Sequence, residues 1–409
     1  MIPYGRVTTY LGVAAITVAA SLGVAQAQVS GDVVKIGVLN DQSGVYSDVS
    51  GQGSVVAARM AIEDFGGKVL DKPIELIFAD HQNKPDVGAS IARQWFDREG
   101  VDMVVDVPNS AVALAVQAVA KDLNRVHINT GAATTDLTGK QCSPTSIHWS
   151  FDTYALAAGT GRSLVKAGGK TWYFITADYA FGHALERETG KFVEEGGGKV
   201  LGAVRHPLNT ADFASFLLQA QSSKAEVIGL ANAGGDTINA IKQAGEFGIT
   251  SSGQKVAALL THFSDVHALT LKVAQGLVVT ESFYWDFNDE TRAWFKRFLK
   301  LNNGRPYTMI HAGTYGGVLH YLKAIKEAGT DEAKAVVAKM KELPVNDFYT
   351  KNVKIREDGR VLRPFYLMEV KKPEESKYAF DYYKLIATIA PEDAVRPLAE
   401  GHCPFLEKK

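Results

Sequence analysis

The chain has 409 residues, 46% of them hydrophobic and 22% charged, with a formal net charge of -1. That length exceeds what one ordinary core fills, so two lobes are expected. Near-zero charge without any Lys/Arg-rich stripe excludes a nucleic-acid surface and argues against an anionic membrane surface.

Arg6 precedes an apolar run over 11–24, and Ala25-Gln26-Ala27 follows it. A basic start, a short apolar centre and a small-residue exit describe a secretory signal peptide over 1–27. The run is too short and too rich in Gly and Ala for a comfortable membrane span. An exported, soluble mature protein is expected.

The mature chain opens with a strand over 33–39 and a loop over 40–48 that carries Tyr46. A helix starting near Gly51 places Val55, Val56, Met60 and Ile62 at helical spacing and ends at Phe65-Gly66-Gly67. A strand over 74–79, a loop over 80–85 and a helix to Glu99 follow. The run over 101–107 is continuously apolar, as a strand covered on both faces should be. Pro108, Asn109 and Ser110 break it, and Val112, Val116 and Val119 then recur helically as far as Asn124. A strand over 125–130 ends in the loop Gly131-Ala132-Ala133-Thr134-Thr135. Ligands of open parallel sheets bind at such strand ends. The amides opening the helix at Ser110 suit a carboxylate, although a serine there serves equally as an N-cap.

After the loop around Cys142 the alternation restarts, with strands over 172–176, 199–204, 227–230 and 256–260. Their loops present Phe181, Asn232 and Thr261-His262. A strand over 276–280 leads to Phe283-Tyr284-Trp285. Helices near 291–301, 309–328 and 331–341 and strands over 353–355, 364–370 and 378–389 close the chain. This pattern predicts the α/β class: two doubly wound parallel-sheet lobes with a cleft between them. The late helices return to the first lobe, so hinge crossings are expected near 148–152, 280–285 and 348–352. The lobes are then 28–149 plus 282–348 and 150–281 plus 349–385, with a tail over 386–409.

Catalytic signatures are absent: there is no G-x-S-x-G elbow and no H-E-x-x-H. Gly159-Thr160-Gly161-Arg162-Ser163 lacks the lysine of a phosphate loop, and Gly234-Gly235-Asp236 lacks the spaced glycines of a dinucleotide fingerprint. No enzyme, metal or cofactor is expected. Cys142 and Cys403 are the only cysteines, and in an exported chain they are candidates for a disulfide, free thiols being the alternative. Tyr46, Phe181, Tyr284, Trp285 and Tyr307 fall in loops or crossings. Singly each reads as packing; together they suit a flat or apolar ligand. His262 reads equally as a ligand contact or a structural residue.

The signal peptide, the opening VVKIGVLNDQSGVYSDVSGQG, the loop PNSA followed by INTGAATTDLT, and the ADYAFG turn together resemble ABC-transporter periplasmic solute-binding proteins of the leucine/isoleucine/valine type. The resemblance runs over 33–385. It implies two lobes joined by three crossovers, a cleft that closes, a periplasmic location, no catalysis, and delivery to an inner-membrane ABC permease. A monomer or weak dimer is expected. By this resemblance Ser110 matches the serine that holds a ligand carboxylate. The small-small-Thr run that helps hold the amino group falls on Gly131-Ala132-Ala133, with Thr134 one position late. Phe181 matches the family's aromatic. The acid that receives the ammonium is missing near Thr261-His262, the next being Asp265. A buried ammonium without a partner is costly, so a carboxylate lacking an α-amino group is expected. The chain is similar in this to the branch that binds aromatic acids such as benzoates and hydroxycinnamates. Ser110 and the neighbouring amides, with Asn109, would take the carboxylate. Phe181, Tyr46 and Tyr284 would line the ring, and His262 or Asn232 would meet a ring hydroxyl; Gly131, Ala132, Ala133, Thr134 and Tyr307 are the remaining candidate contacts. Other readings are a branched-chain amino acid, an amide or urea, an exported two-lobed enzyme, or a sensing ectodomain.

Overall fold

The computed structural model describes residues 1–5 and 29–407, so the apolar run and cleavage site of the expected signal peptide lie outside the described residues. The first sheet holds β1 (Val34–Asn40), β2 (Lys68–Val69), β3 (Lys72–Asp80), β4 (Met103–Asp106), β5 (Val126–Asn129) and β6 (Ser146–His148), in the order β2-β3-β1-β4-β5-β6. All its pairings are parallel except the β2–β3 hairpin. Neighbouring residues of one strand enter different cores, as a period of two requires. Val38, Met103 and Val105 pack with Val55 and Met60 of helix Gly51–Phe65. Leu39 and Val104 pack with Trp95 and Val116 from helices Pro85–Arg98 and Ser110–Asp122. Both faces are covered, which is why these strands read as unbroken apolar runs.

The second sheet holds β7 (Thr171–Ala177), β8 (Lys199–His206), β9 (Val227–Ala231) and β10 (Lys255–Ala258), ordered β10-β9-β7-β8 and wholly parallel. A third, antiparallel sheet joins β11 (Val278–Glu281), β12 (Phe365–Val370) and β13 (Tyr383–Ile389). Between β11 and β12 the chain returns to the first lobe. Arg297 of helix Asp289–Leu301 pairs with Asp64 at 2.6 Å, and Thr308 Oγ1 donates to Val49 O at 2.7 Å. The architecture is the expected pair of doubly wound lobes with three crossings.

Local expectations differ in four places. The strand expected over 353–355 is reduced to isolated bridges, Val345 with Val353 and Ile355 with Val361. The last strand starts at Tyr383 rather than 378, because Phe380 turns the backbone with φ of 66°. β6 was not expected, being only three residues long. The helical stretch after Asp152 contains a π turn at Ala157–Gly161, where Thr160 N donates to Thr280 Oγ1 at 2.9 Å. Cys142 and Cys403 are bonded across a separation of 261 residues. The tail so anchored also contacts both lobes, Arg396 Nη2 donating to Thr135 O at 3.1 Å and Glu400 pairing with Lys191 at 2.8 Å.

Candidate functional site between the lobes

The loop after β1 is held by Asp41, whose carboxylate accepts from Gly44 N at 2.7 Å, Tyr46 N at 2.8 Å and Asn83 Nδ2 at 2.6 Å. These bonds turn Tyr46 inward, where it is buried. After β4 the backbone is left-handed at Asp106 (φ 86°) and at Val107 (φ 54°), a strained conformation for a β-branched residue. Asn109 then caps the next helix, its Oδ1 accepting from Ala111 N at 3.0 Å and Val112 N at 3.2 Å. The cap is thus Asn109, not Ser110, and its oxygen is committed. Ser110 is fully buried, and its Oγ accepts from Thr134 N at 3.2 Å, which leaves its own hydrogen to donate. One serine therefore ties together the loops after β4 and β5.

From the second lobe, Tyr179 and Phe181 follow β7, Ala233 follows β9, and Leu260 and His262 follow β10. These five close on Tyr46, Val49, Pro108, Gly131, Ala133 and Ile310 around a space of about 20 Å³, room for about one water. Tyr46 and Tyr179 join their hydroxyls at 2.5 Å, Gly235 N donates to Val45 O at 3.2 Å, and Thr135 Oγ1 donates to Glu188 Oε1 at 3.0 Å. Gly234 permits that approach: its φ is +58°, and a Cβ there would stand 2.6 Å from Val45 O. The two lobes are in contact over the cavity.

Among the described residues no charged side chain lines this space. Burial raises the Tyr46 hydroxyl well above its ordinary value. His262 is pushed down to about 3, first by burial and then by His311, so its imidazole is neutral. Its Nδ1 has no hydrogen-bond partner among the described residues, and Phe151 meets the ring edge-on at 5.8 Å. Asp265 is committed elsewhere: its Oδ2 accepts from His262 N at 2.8 Å, and burial raises it to about 7.

Of the residues singled out from the sequence, Tyr46, Gly131, Ala133, Phe181 and His262 line the cavity. Ser110, Asn109, Ala132 and Thr134 belong to the same strand ends but do not line it. Asn232 is engaged in its own lobe, Nδ2 donating to His206 Nε2 at 3.1 Å and Oδ1 accepting from Thr237 Oγ1 at 2.7 Å. Tyr284 and Tyr307 belong to an aromatic cluster around Phe263, on which Tyr307 stacks at 4.7 Å. Tyr179 had gone unnoticed, although it lies in the quoted ADYAFG turn; Val49, Leu260 and Ile310 carry no signal beyond that of core residues. A wider groove, between residues 254–257 and 275–278, is lined by Leu164 and residues from 241 to 278 and is not the interlobe space. Among the described residues no cluster of His, Cys, Asp or Glu could hold a metal, and no helix is long and apolar enough to cross a membrane.

Comparison with known proteins places this geometry. The family model described as periplasmic binding protein matches residues 33–377. A crystal structure of a periplasmic binding protein from Burkholderia mallei is 52% identical, with a TM-score of 0.89 over 91% of this chain and 99% of that one. A branched chain amino acid ABC transporter periplasmic ligand-binding protein from Burkholderia xenovorans is 41% identical, with a TM-score of 0.80 over the same shares, 91% and 99%. A Leu/Ile/Val-binding protein homolog from Brucella melitensis is 27% identical over 382 residues, 91% of this chain and 96% of its own length. The chain belongs to the periplasmic binding protein family.

Proposed function

We propose that this protein is the exported solute-binding component of an ABC importer and closes its lobes on a small carboxylate that bears a ring and lacks an α-amino group. The observation that carries this reading is the wall of the interlobe cavity, which has no acid to receive an ammonium. Burying an unpaired ammonium there would cost several kcal/mol. The Ser110 hydroxyl, free to donate, together with the amides of the neighbouring loops, suits a carboxylate at the first lobe. Phe181 and Tyr46 flank a ring, and neutral His262 meets a hydroxyl on it. The closed space of about 20 Å³ is too small for any ring, so the lobes part to admit the ligand. The lobes, 28–149 plus 282–348 and 150–281 plus 349–385, move about their crossings, and the ligand is returned unchanged to a permease.

A branched-chain amino acid is the second reading. It is favoured by the description borne by the 41% identical Burkholderia xenovorans protein. Thermal unfolding of the mature protein against benzoates, hydroxycinnamates, leucine and valine separates the two. At 100 times its Kd a ligand adds about 2.7 kcal/mol of stability. A rise in Tm with an aromatic acid and none with leucine is expected; a rise with leucine or valine alone would refute the assignment. Ser110→Ala should weaken the carboxylate by about 1.5–3 kcal/mol, roughly 10- to 100-fold.

A further inference from the structure

Where the chain passes between sheets, the segments after β6, after β11 and before β12 converge on two buried arginines. Arg360 is paired: its Nε donates to Asp152 Oδ2 at 2.7 Å and its Nη1 to His148 O at 3.2 Å. Arg363 is not. It is 2% exposed, yet its Nε, Nη1 and Nη2 have no hydrogen-bond partner among the described residues. Its guanidinium lies 4.8 Å from the centroid of the Tyr349 ring, a contact that satisfies none of its N–H groups in the plane. Asp347 makes no hydrogen bond with it, although the two buried charges attract each other. Asp347 Oδ1 accepts from Tyr349 N at 3.0 Å and Thr350 N at 2.7 Å, and its Oδ2 lies 2.5 Å from where a Cβ of Gly316 would stand. A buried guanidinium with idle donors is unfavourable unless an acceptor reaches it.

Arg363 lines a cavity of about 230 Å³ together with Ser282, Tyr349, Thr350 and Lys351. The hydroxyl of Ser282 is also buried and without a partner among the described residues, and those of Tyr349 and Thr350 are buried with only loose contacts to Arg363 and Asp347. Donors thus gather around one space. At its mouth Lys351 is exposed and pairs with Glu290 at 2.6 Å, an exposed contact that an entering ligand can displace at little cost. We propose that this cavity is a second binding site, separate from the interlobe space, and takes a small oxyanion of the phosphate or carboxylate type. The Arg363 fork holds two of its oxygens, and the hydroxyls of Ser282 and Thr350 donate to the remainder.

The test is thermal unfolding of the mature protein against inorganic phosphate and, separately, acetate, both at constant ionic strength. Wild type should show a saturable rise in Tm with at least one of them, and the stronger response names the class. Ser110→Ala should keep that rise, and Arg363→Gln should abolish it. No saturable rise with either anion, or an equal rise in Arg363→Gln, would overturn the proposal. Should Arg363→Gln fail to fold, Ser282→Ala and Thr350→Val retain the arginine. Each should then weaken the apparent Kd about 10-fold; an unchanged Kd in both would overturn the proposal equally.

Discussion

The interlobe cavity and the cavity beside the crossings are built on opposite plans. The first is walled by Val49, Pro108, Phe181, Leu260 and Ile310, and its polar groups are two tyrosine hydroxyls joined to each other and a neutral imidazole. The second sits beside two buried arginines, one neutralised by Asp152 and one with idle donors. Charge is thus concentrated where the lobes are connected and, among the described residues, absent from the lining of the interlobe cavity. Substitutions at the crossings should therefore cost stability, and substitutions at the closing face should cost affinity.

The largest expected effect is Asp152→Ala, which leaves Arg360 fully buried without its acid. Urea unfolding should show a loss of about 3–5 kcal/mol. A loss below about 1 kcal/mol would mean that the crossings are wetter than described here. The same residue has a pH signature. Burial pushes the Asp152 carboxyl up, but the Arg360 guanidinium together with His148, the Ala155 N–H and Arg396 outweighs this, and the carboxyl stays below its ordinary value. Its stabilisation is present above the unfolded pKa of about 4 and is lost as pH falls through the lower folded value. Wild type should lose stability on that descent relative to Asp152→Ala.

Next in size is Gly234→Ala, which places a side chain against Val45 O at a positive φ. Ligand affinity should fall by about 1–3 kcal/mol, roughly 5- to 150-fold. Calorimetric titration checks this, and an unchanged Kd would separate closure from the Val45 contact. Smaller again is Tyr179→Phe, which removes one hydroxyl bond across the lobes and should weaken binding by about 1 kcal/mol. Smallest is the effect of mild pH change. His262 titrates only near 3 and contributes nothing between about pH 5 and 8, so a change of Kd in that window belongs to Asp265, raised to about 7. In Asp265→Asn the Kd should stay flat from about pH 5 to 8, and a break near 6.5 in that variant would show that the His262 imidazole is not buried in solution.

Legibility in the sequence followed the same division. The strands of the first sheet declared themselves through unbroken apolar runs, and helix Met309–Ala328 lies at the residues its periodicity marks. Strand-end loops are local features, so Tyr46, Gly131, Ala133, Phe181 and His262 could be picked from spacing and resemblance alone. Tyr179 acquires its role only by meeting Tyr46 across 133 residues. Arg363 was illegible for a stronger form of the same reason. In the polar stretch before β12 an arginine reads as solvent-facing, and it is buried only because segments near 149, 282 and 349 converge on it. β6 was too short to carry any period.

The most direct measurement is calorimetric titration of the mature protein with two matched pairs, 4-methylpentanoate against leucine and 3-phenylpropanoate against phenylalanine. Each pair shares its carboxylate and side chain and differs only in the α-amino group. A cavity wall without an acid predicts tighter binding of the deaminated member, by about 100-fold or more where the ammonium costs about 3 kcal/mol or more. Tighter binding of leucine or phenylalanine would contradict it, because an ammonium partner would then have to exist within the closed cleft.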